Sequence, residues 1–358
     1  VAVDPEMLGK VFEELVTGRH ESGSYYTPRT VVSFMCREAL KHALANCDTP
    51  ESIAKLVDES DGKDITNPQE VLNRLRSIRA CDPACGSGAY LLGMLQEMLH
   101  IREALFAATA IAKDAQYEWK REIIENSIYG VDMDRFATQI ASLRLWLSLA
   151  IESDEPKPLP NLKYKIGCGD SLLAPIETIG QGDLHRRALI EQFRARKKEY
   201  IDADNHSEKS EAESEIERLR VEIARTLQHL PEPPKPAEIL LAERDVQPLR
   251  EKIDRLVRIG DKGQAEKFQK QLDVLLAHIS RLKASTAIEN YDTGDIFDWS
   301  VEFAEVFEDG GFDIVLANPP YVRQEEINKE VKKKLLALYS EAMTGKSDLF
   351  VAFYVRGL

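Results

Sequence analysis

Three groups that could do chemistry stand together in one short turn: a carboxamide, a proline carbonyl and an aromatic ring, in Asn318-Pro319-Pro320-Tyr321. The apolar run Phe312–Leu316 precedes this turn and predicts a buried, central strand of a parallel sheet. Each proline fixes its own φ and favours extended geometry in the residue before it, so the three groups keep a fixed relation. Open α/β sheets bind ligands at the carboxyl ends of their strands, although an Asn-Pro step by itself is more often only a turn.

Acidic residues follow three further candidate strands, each near the point where the strand ends. Asp82 ends a short strand, Asp132 ends the strand Ser127–Asp132, and Asp170 follows the strand Leu162–Ile166. Carboxylates at such positions can bind ribose hydroxyls or accept a hydrogen bond from an adenine amino group. Each acid alone is an ordinary turn residue, but three at successive strand ends indicate a nucleoside site.

The turn after the first of these strands reads Asp82-Pro83-Ala84-Cys85-Gly86-Ser87-Gly88 and opens an apolar helix at Ala89. Its glycines permit a tight turn and a close approach of the backbone to a ligand. A dinucleotide site would need a third glycine and an acid about 20 residues further on, whereas here the acid lies in the turn itself. Asp82 would repel a pyrophosphate and attract an ammonium group, which favours an amino-acid-bearing nucleoside over NAD.

The elements around these motifs follow from helical periodicity and turn signals. Helices are predicted over residues 5–18 and Pro28–Leu44, with Thr27 as the N-cap of the second helix and the following proline as its first residue. Residues 46–70 are predicted to form a polar loop. After the second strand, Phe136–Leu149 predicts an apolar helix whose two aromatic residues belong to the core.

A charged helical stretch interrupts the alternation of strands and helices between residues 183 and about 284. Apolar residues recur at helical spacing in two arms, and Pro231–Pro236 separates the arms. This pattern predicts an antiparallel helical hairpin inserted between the third and fourth strands. A rigid insertion without chemistry is favoured over an arm that contacts a partner or DNA.

Composition places the 358-residue chain among ordinary globular proteins, with 43% apolar and 30% charged residues. No membrane span or signal peptide is visible, and five cysteines without metal-ligand spacing indicate reduced thiols, so a cytoplasmic protein without a bound metal is expected. The net charge of −14 argues mildly against wrapping nucleic acid over the whole surface but leaves room for a local basic cleft. The lysines of the helix after the turn, at 329 and 332–334, are read as a solvated face or as phosphate contacts.

Taken together and in this order, the motifs resemble those of amino-methylating DNA methyltransferases of the gamma arrangement. The similarity is closest to the modification parts of type I and type IIG restriction–modification systems. Gly23-Ser24-Tyr25-Tyr26-Thr27-Pro28 is similar to their N-terminal cofactor motif, Asp82–Gly88 to their main S-adenosylmethionine loop, and Asn318–Tyr321 to their Asn-Pro-Pro-Tyr catalytic motif. The resemblance covers residues 8–175 and 295–358 but not the helical hairpin.

The resemblance implies an α/β fold: a Rossmann-like, doubly wound, mostly parallel sheet of seven strands with helices on both faces. Residues 1–180 would form its first part, residues 181–288 the inserted helical hairpin, and residues 289–358 its second part. Only helix is predicted after the fourth strand. The last strands of the sheet and a target-recognition domain are therefore expected to lie outside this chain, which has the character of a fragment.

The resemblance also implies a role for each motif residue. Tyr26, Thr27, Asp82, Ala84 and Gly86 would hold the methionine moiety of the cofactor. The ribose of the cofactor would bind to Asp132. The adenine of the cofactor would pack on Met133, and its amino group would donate a hydrogen bond to Asp170. The predicted cofactor site also includes Cys85, Gly88 and Ser171, and the predicted catalytic residues are Asn318, Pro319, Pro320 and Tyr321.

The implied activity is methyl transfer from S-adenosylmethionine to N6 of an adenine flipped out of double-stranded DNA, within a restriction–modification or phage-defence system. The Asn318 side-chain oxygen and the Pro319 carbonyl can each accept one N–H of the adenine amine, whose lone pair is otherwise delocalised into the ring. That draws the nitrogen towards tetrahedral geometry, and fixed acceptors stabilise the positive charge that develops on it. Tyr321 offers a ring on which the flipped base can stack, and no covalent intermediate is needed.

Other functions remain compatible with the same residues. A protein glutamine amide or RNA could be the methyl acceptor, or the chain could be a non-catalytic, cofactor-binding scaffold whose hairpin docks a partner. A nuclease or specificity domain, or a separate subunit, is expected outside this chain.

Overall fold

The computed structural model describes residues 7, 9, 27–106, 113–152, 162, 164–174, 184–203, 206–227, 244, 246–258, 261–286 and 297–358. The chain divides into two compact units: Val1–Gly182, Arg194–Glu213 and Thr293–Leu358 form the first, and Asp183–Phe193 and Ser214–Asp292 form the second. Most of the predicted helix over residues 5–18, the motif before Thr27 and the proline break at Pro231–Pro236 lie outside the described residues. The predicted hairpin and the domain boundaries stay predictions.

Helices and short strands alternate along much of the described chain. In chain order they are α1 Arg29–Leu44, α2 Pro50–Glu59, α3 Pro68–Ser77, β1 Ala80–Asp82, α4 Ala89–Leu105, α5 Lys113–Asn126, β2 Ile128–Asp132, α6 Arg135–Ala150, β3 Ile166–Cys168, α7 Leu184–Asp202, α8 His206–Leu227, α9 Val246–Arg258, α10 Lys262–Thr286, α11 Trp299–Glu302, α12 Ala304–Glu308, β4 Ile314–Val315, α13 Lys329–Leu338 and α14 Leu349–Gly357.

The described strands form one parallel sheet in the order β3-β2-β1-β4. Ala80 of β1 pairs with Ile128 of β2 on one side and with Ile314 of β4 on the other. The strand order therefore reverses between β1 and β4, and such a switch point leaves a crevice at the carboxyl ends of the two strands. Asp82 ends β1 and Asn318 follows β4, so both lie at this crevice.

Both faces of the central strands are buried, as a parallel sheet requires. Ala80 and Ile128 face the larger hydrophobic core, while Cys81, Tyr129 and Val131 face an aromatic cluster on the other side. This alternation follows from the two-residue period of a strand. The aromatic cluster also contains Phe297, Trp299, Phe303 and Val306. The α/β fold expected from the sequence is confirmed.

The predicted polar loop over residues 46–70 is wrong, because the segment contains α2 and the start of α3. The Thr49 side chain accepts a hydrogen bond from the Ser52 amide at 3.3 Å, and a proline follows Thr49 as the first helical residue. Asn67 caps α3 in the same way, through the Glu70 amide at 3.2 Å. These N-cap and proline pairs are the signals that mark both helices in the sequence.

The third strand lies further along the chain than predicted, at Ile166–Cys168 instead of Leu162–Ile166. The Leu162 carbonyl accepts hydrogen bonds from the amides of Lys165 and Ile166, both at 3.0 Å, which makes the predicted strand a turn. Pairing with β2 begins only after that turn, where Gly130 lies opposite Ile166.

The fourth strand was expected to be buried and central, and this is wrong for the described sheet. β4 lies at its edge beside β1, and Val315 is 37% exposed. Ile314 and Val315 pair with Ala80 and Cys81 of β1. The flanking Asp313 ties the start of β4 to neighbouring elements, because its carboxylate accepts the Arg79 amide at 2.9 Å and pairs with Arg74 at 2.7 Å.

Helix α1 packs closely on α4 at Gly93. A Cβ atom at this position would lie 2.3 Å from Cγ1 of Val32, so a Gly93→Ala substitution must displace α1 or the Val32 side chain. We expect the free energy of unfolding to fall by up to about 2 kcal/mol, because overpacking costs about 1–3 kcal/mol and the gain in helix propensity offsets about 1 kcal/mol of it. Urea denaturation measures this change. Gly345→Ala is the control, because its Cβ meets nothing within 4 Å; an equal loss in both variants would contradict the prediction.

Candidate functional site

The turn after β1 combines two left-handed glycines with backbone hydrogen bonds. Gly86 and Gly88 have φ values of 50° and 85°, and the Cys85 amide donates to the Val131 carbonyl at 2.9 Å. A Cβ at Gly88 would lie 2.9 Å from that of Ala141, whereas a Cβ at Gly86 would meet nothing within 4 Å. Gly88 therefore lets α4 pack on α6, and Gly86 leaves the turn open towards a ligand.

Asp82 is a buried carboxyl group at the end of β1. It is 2% exposed, and its Oδ1 accepts a hydrogen bond from the Ala84 amide at 3.0 Å. Burial raises the pKa of Asp82 to about 8; the Ala84 hydrogen bond opposes this shift, and the charge of Asp132 adds to it. Burial thus favours the protonated form of this carboxyl group, and a cation placed beside it would favour the ionised form.

The two other acids at this edge are held by backbone amides. Asp132 accepts hydrogen bonds from Gly86 and Asp134, each at 2.8 Å, and its pKa is raised by burial. Asp170 accepts hydrogen bonds from the amides of Leu172 and Leu173 at 2.7 and 3.1 Å. Asp132 thus fastens the glycine turn to the end of β2, and Asp170 shapes the turn after β3. The structure brings all three predicted acids to one edge of the sheet.

Two residues of the predicted cofactor site contact other parts of the fold through their side chains. The Ser171 hydroxyl is buried and donates to the Pro83 carbonyl at 2.6 Å, which ties the turn after β3 to the turn after β1. The Cys85 side chain is buried against Gly130, where a Cβ would lie 3.1 Å from the Cys85 sulfur. These contacts position the turns, and direct cofactor binding by the two residues stays a prediction.

Two apolar side chains stand out at the same edge, beside the end of β2. Met133 is 66% exposed and Phe136 is 58% exposed. The assignment of Phe136 to the core is therefore wrong, because its side chain lies on the exposed side of α6, whereas the adjacent Ala137 and Thr138 are buried. The other aromatic residue of α6, Trp146, does pack against the core. Exposed apolar side chains beside an acidic strand end are suited to a flat ring, and the sequence marks Phe136 only by its place at the start of the helix.

The Asn318–Tyr321 turn begins directly beside β1. The Leu316 amide donates to the Cys81 carbonyl at 2.9 Å, and the Val322 amide closes the turn on the Pro320 carbonyl at 3.0 Å. The Asn318 side-chain amide donates through Nδ2 to the Thr27 hydroxyl oxygen at 3.0 Å. Tyr321 is exposed. The carboxamide therefore lies next to the acidic edge, with its oxygen as the end that can accept.

Thr27 does not cap α1, which corrects the prediction. The helix begins at Arg29, the capping position is held by Pro28, and no side chain makes a cap hydrogen bond there. The Thr27 hydroxyl instead accepts from Asn318, because the chain enters α1 beside the Asn-Pro-Pro-Tyr turn. Tyr26, the other predicted residue of this motif, lies outside the described residues.

The lysines of α13 differ in how they are engaged. The Lys332 ammonium group donates to the Gln324 carbonyl and side-chain oxygens at 3.1 and 2.8 Å, while Lys333 and Lys334 are exposed. Phosphate contact by this helix stays a prediction. Among the described residues, no cluster of His, Cys, Asp and Glu could hold a metal ion. The five cysteines are free thiols, and none of the helices described is long and apolar enough to cross a membrane.

Comparison with protein families decides what kind of protein carries this site. Residues 126–358, which include β2, the turn after β3 and the Asn-Pro-Pro-Tyr turn, match the Eco57I restriction-modification methylase family. The chain belongs to this family. Residues 58–154, which include the glycine turn, match the MmeI DNA-methyltransferase domain. The resemblance to restriction–modification methyltransferases is thereby confirmed, and the methyltransferase family implies a methyl donor.

Two relatives of this chain are named as methyltransferases. A candidate type II restriction enzyme and methyltransferase of Methanocaldococcus jannaschii is 28% identical over an alignment that covers 99% of this chain and 32% of the relative. DNA methyltransferase A of Bacillus subtilis is 27% identical over 24% of this chain and 10% of the relative. The chain thus spans about a third of the first relative's length.

Proposed function

We propose that this family member is the catalytic part of a site-specific DNA methyltransferase that transfers a methyl group from S-adenosylmethionine to N6 of a flipped adenine. The observation that carries the proposal is the placement of the Asn318 carboxamide. The carboxamide lies at the switch point of the sheet, beside the acidic edge. Its Nδ2 donates a hydrogen bond to the Thr27 hydroxyl, and its oxygen is left to accept a hydrogen bond from a substrate. Family membership supports DNA as the substrate.

The residues at the acidic edge fit the cofactor. Asp82 is a buried carboxyl suited to the ammonium group of the methionine moiety, and Gly86 leaves the turn open beside it. Each carboxylate oxygen of Asp132 accepts one backbone hydrogen bond and keeps a second lone pair. These two lone pairs suit a pair of ribose hydroxyls. Met133 and Phe136 offer apolar surface for an adenine ring. When bound, S-adenosylmethionine supplies an electrophilic methyl group on a sulfonium.

The chain's own residues would then prepare the nucleophile. The Asn318 side-chain oxygen and the Pro319 carbonyl each accept one N–H of the adenine amino group, which draws the nitrogen towards tetrahedral geometry. Acceptors that are fixed before reaction need no reorganisation as positive charge develops on the nitrogen. The exposed ring of Tyr321 provides a surface on which the flipped base stacks.

Other parts of the proposal concern the protein in which this chain acts. The Methanocaldococcus relative is named as both restriction enzyme and methyltransferase. We infer that a nuclease or specificity region outside residues 1–358 works with this chain in a restriction–modification or phage-defence system. The cytoplasm, where the DNA lies, is the expected location.

The deciding experiment compares methyl acceptors. The full-length protein is incubated with methyl-labelled S-adenosylmethionine and, in parallel, with unmethylated plasmid DNA, RNA and whole-protein extract. Mass spectrometry of the digested DNA should show N6-methyladenine, with no label above background in RNA or protein. Label in a glutamine side chain or in RNA would replace the proposed substrate. Cofactor binding in calorimetry without transfer to any of the three acceptors would indicate a non-catalytic scaffold.

A further inference from the structure

The Asn318 carboxamide and the Thr27 hydroxyl form a contact between two distant motifs. The donor Nδ2 and the acceptor Oγ1 are 3.0 Å apart, although the two residues are separated by 291 positions in the sequence. Thr27 is 9% exposed, so water competes little for its hydroxyl oxygen. The hydrogen bond is therefore a defined feature of the site and not a surface contact.

A carboxamide has two ends of nearly the same shape and opposite chemistry. The oxygen accepts hydrogen bonds and the NH2 group donates them, so rotation by 180° would turn an acceptor into a donor. A donor facing the N–H groups of an amine cannot draw its nitrogen towards tetrahedral geometry. The NH2 end of Asn318 therefore needs its own acceptor, and Thr27 supplies one.

Both partners are held by their surroundings. Thr27 lies just before α1, and α1 is fixed on α4 where Val32 packs against Gly93. Asn318 follows Leu316, whose amide is bound to the Cys81 carbonyl at 2.9 Å, and precedes two prolines that restrict the backbone. The distance between the Thr27 hydroxyl and the Asn318 carboxamide is therefore fixed by the elements that carry the two residues.

We propose that Thr27 is a positioning residue whose hydroxyl holds the NH2 end of the Asn318 carboxamide, so that the side-chain oxygen is left to face the target amino group. This inference rests on the proposed methyl transfer to an amino group, and it assigns the Thr27 hydroxyl to the Asn318 carboxamide instead of to the methionine moiety, where the family resemblance placed it. It links the start of α1 to the chemical step.

The test compares Thr27→Val, which removes the hydroxyl at nearly constant volume, with Thr27→Ser, which keeps it. The full-length protein is assayed in single turnover, in excess over unmethylated plasmid DNA and with protein and cofactor at saturating concentrations, and cofactor affinity is measured by calorimetry. Thr27→Val should lower the saturated rate about tenfold and change the cofactor Kd by less than about threefold, since one orienting hydrogen bond is lost. Thr27→Ser should return the rate to within about twofold of wild type.

Thr30→Val is the matched control, because Thr30 is exposed in the first turn of the same helix; its rate should equal that of wild type. A saturated rate for Thr27→Val within twofold of wild type would overturn the inference. This holds also if the cofactor Kd rises, because Thr27 would then act on cofactor binding and not on the methyl-transfer step. A Thr27→Ser rate as low as that of Thr27→Val would overturn it too. Wild-type protein is measured first, and absence of transfer there rejects the proposed function instead.

Discussion

Replacing Asn318 with alanine should reduce methyl transfer to DNA by about a hundredfold to a thousandfold, while leaving cofactor affinity within about threefold of wild type. The substitution removes the side-chain acceptor but keeps the Pro319 carbonyl, so the amine loses one of its two partners. Loss of one preorganised hydrogen-bonding group in a catalytic site costs roughly 10²–10³ in rate. Transfer of labelled methyl groups to plasmid DNA measures the rate, and calorimetry measures the affinity.

Two further variants sharpen this result. Asn318→Asp keeps an acceptor in either orientation and should give a rate between those of wild type and Asn318→Ala. Asn73→Ala removes an exposed carboxamide on α3 and should behave as wild type. If Asn318→Ala transfers methyl groups at the wild-type rate, the catalytic assignment of the Asn-Pro-Pro-Tyr turn is wrong.

Cofactor binding should strengthen as the pH rises from 6 to 8, by up to about tenfold per pH unit, and Asp82 should be the cause. Burial raises the pKa of Asp82 to about 8 in the free protein, so below that pH the carboxyl must lose its proton to pair with an ammonium group. The affinity is therefore weakest at low pH and levels off as the pH passes the pKa of the free protein. Calorimetry with S-adenosylmethionine across this range measures the dependence.

Asp82→Asn should abolish this pH dependence and weaken cofactor binding by about a hundredfold at pH 8. The amide keeps an oxygen for the Ala84 amide but carries no charge, and losing one member of a buried charge pair costs about 2–5 kcal/mol. Asp134→Asn is the control, because it removes a nearby exposed charge and retains a good N-cap for α6. Equal affinity and equal pH dependence in Asp82→Asn and wild type would exclude an ammonium partner at this carboxyl.

Some of this structure could be predicted because its causes are local. The start of α4 at Ala89 follows from a proline that restricts the backbone and from glycines that permit the left-handed conformations of the turn. The bounds of α6 differ by one residue at each end from the predicted Phe136–Leu149, since a long apolar helix has a clear period. α2 and α3 were predictable in the same way, from Thr49-Pro50 and Asn67-Pro68, although they were assigned to a loop.

Strand positions were harder because pairing depends on a neighbour. Leu162–Ile166 is apolar enough to be a strand, yet the chain turns there and pairs with β2 only from Ile166. Phe136 is of a residue type that is common in cores, yet its side chain lies on the exposed side of α6 while that of Ala137 is buried. The residue types at Leu162–Ile166 are compatible with a strand or a turn, and Phe136 is compatible with a buried or an exposed position. The packing of the neighbouring elements determines which of the two forms.

The Asn318–Tyr321 turn shows where this division falls. The residue types of this turn and the order of the motifs by themselves determined the methyltransferase family and the α/β fold. The hydrogen-bonding groups of a residue and the restriction of its backbone are properties of the residue type and do not depend on the rest of the fold. Tertiary structure alone decided that the Thr27 hydroxyl accepts a hydrogen bond from Asn318 and that burial raises the pKa of Asp82. Hydrogen-bond partners and desolvation arise between elements far apart in the chain, and they exist only once the sheet and α1 have come together.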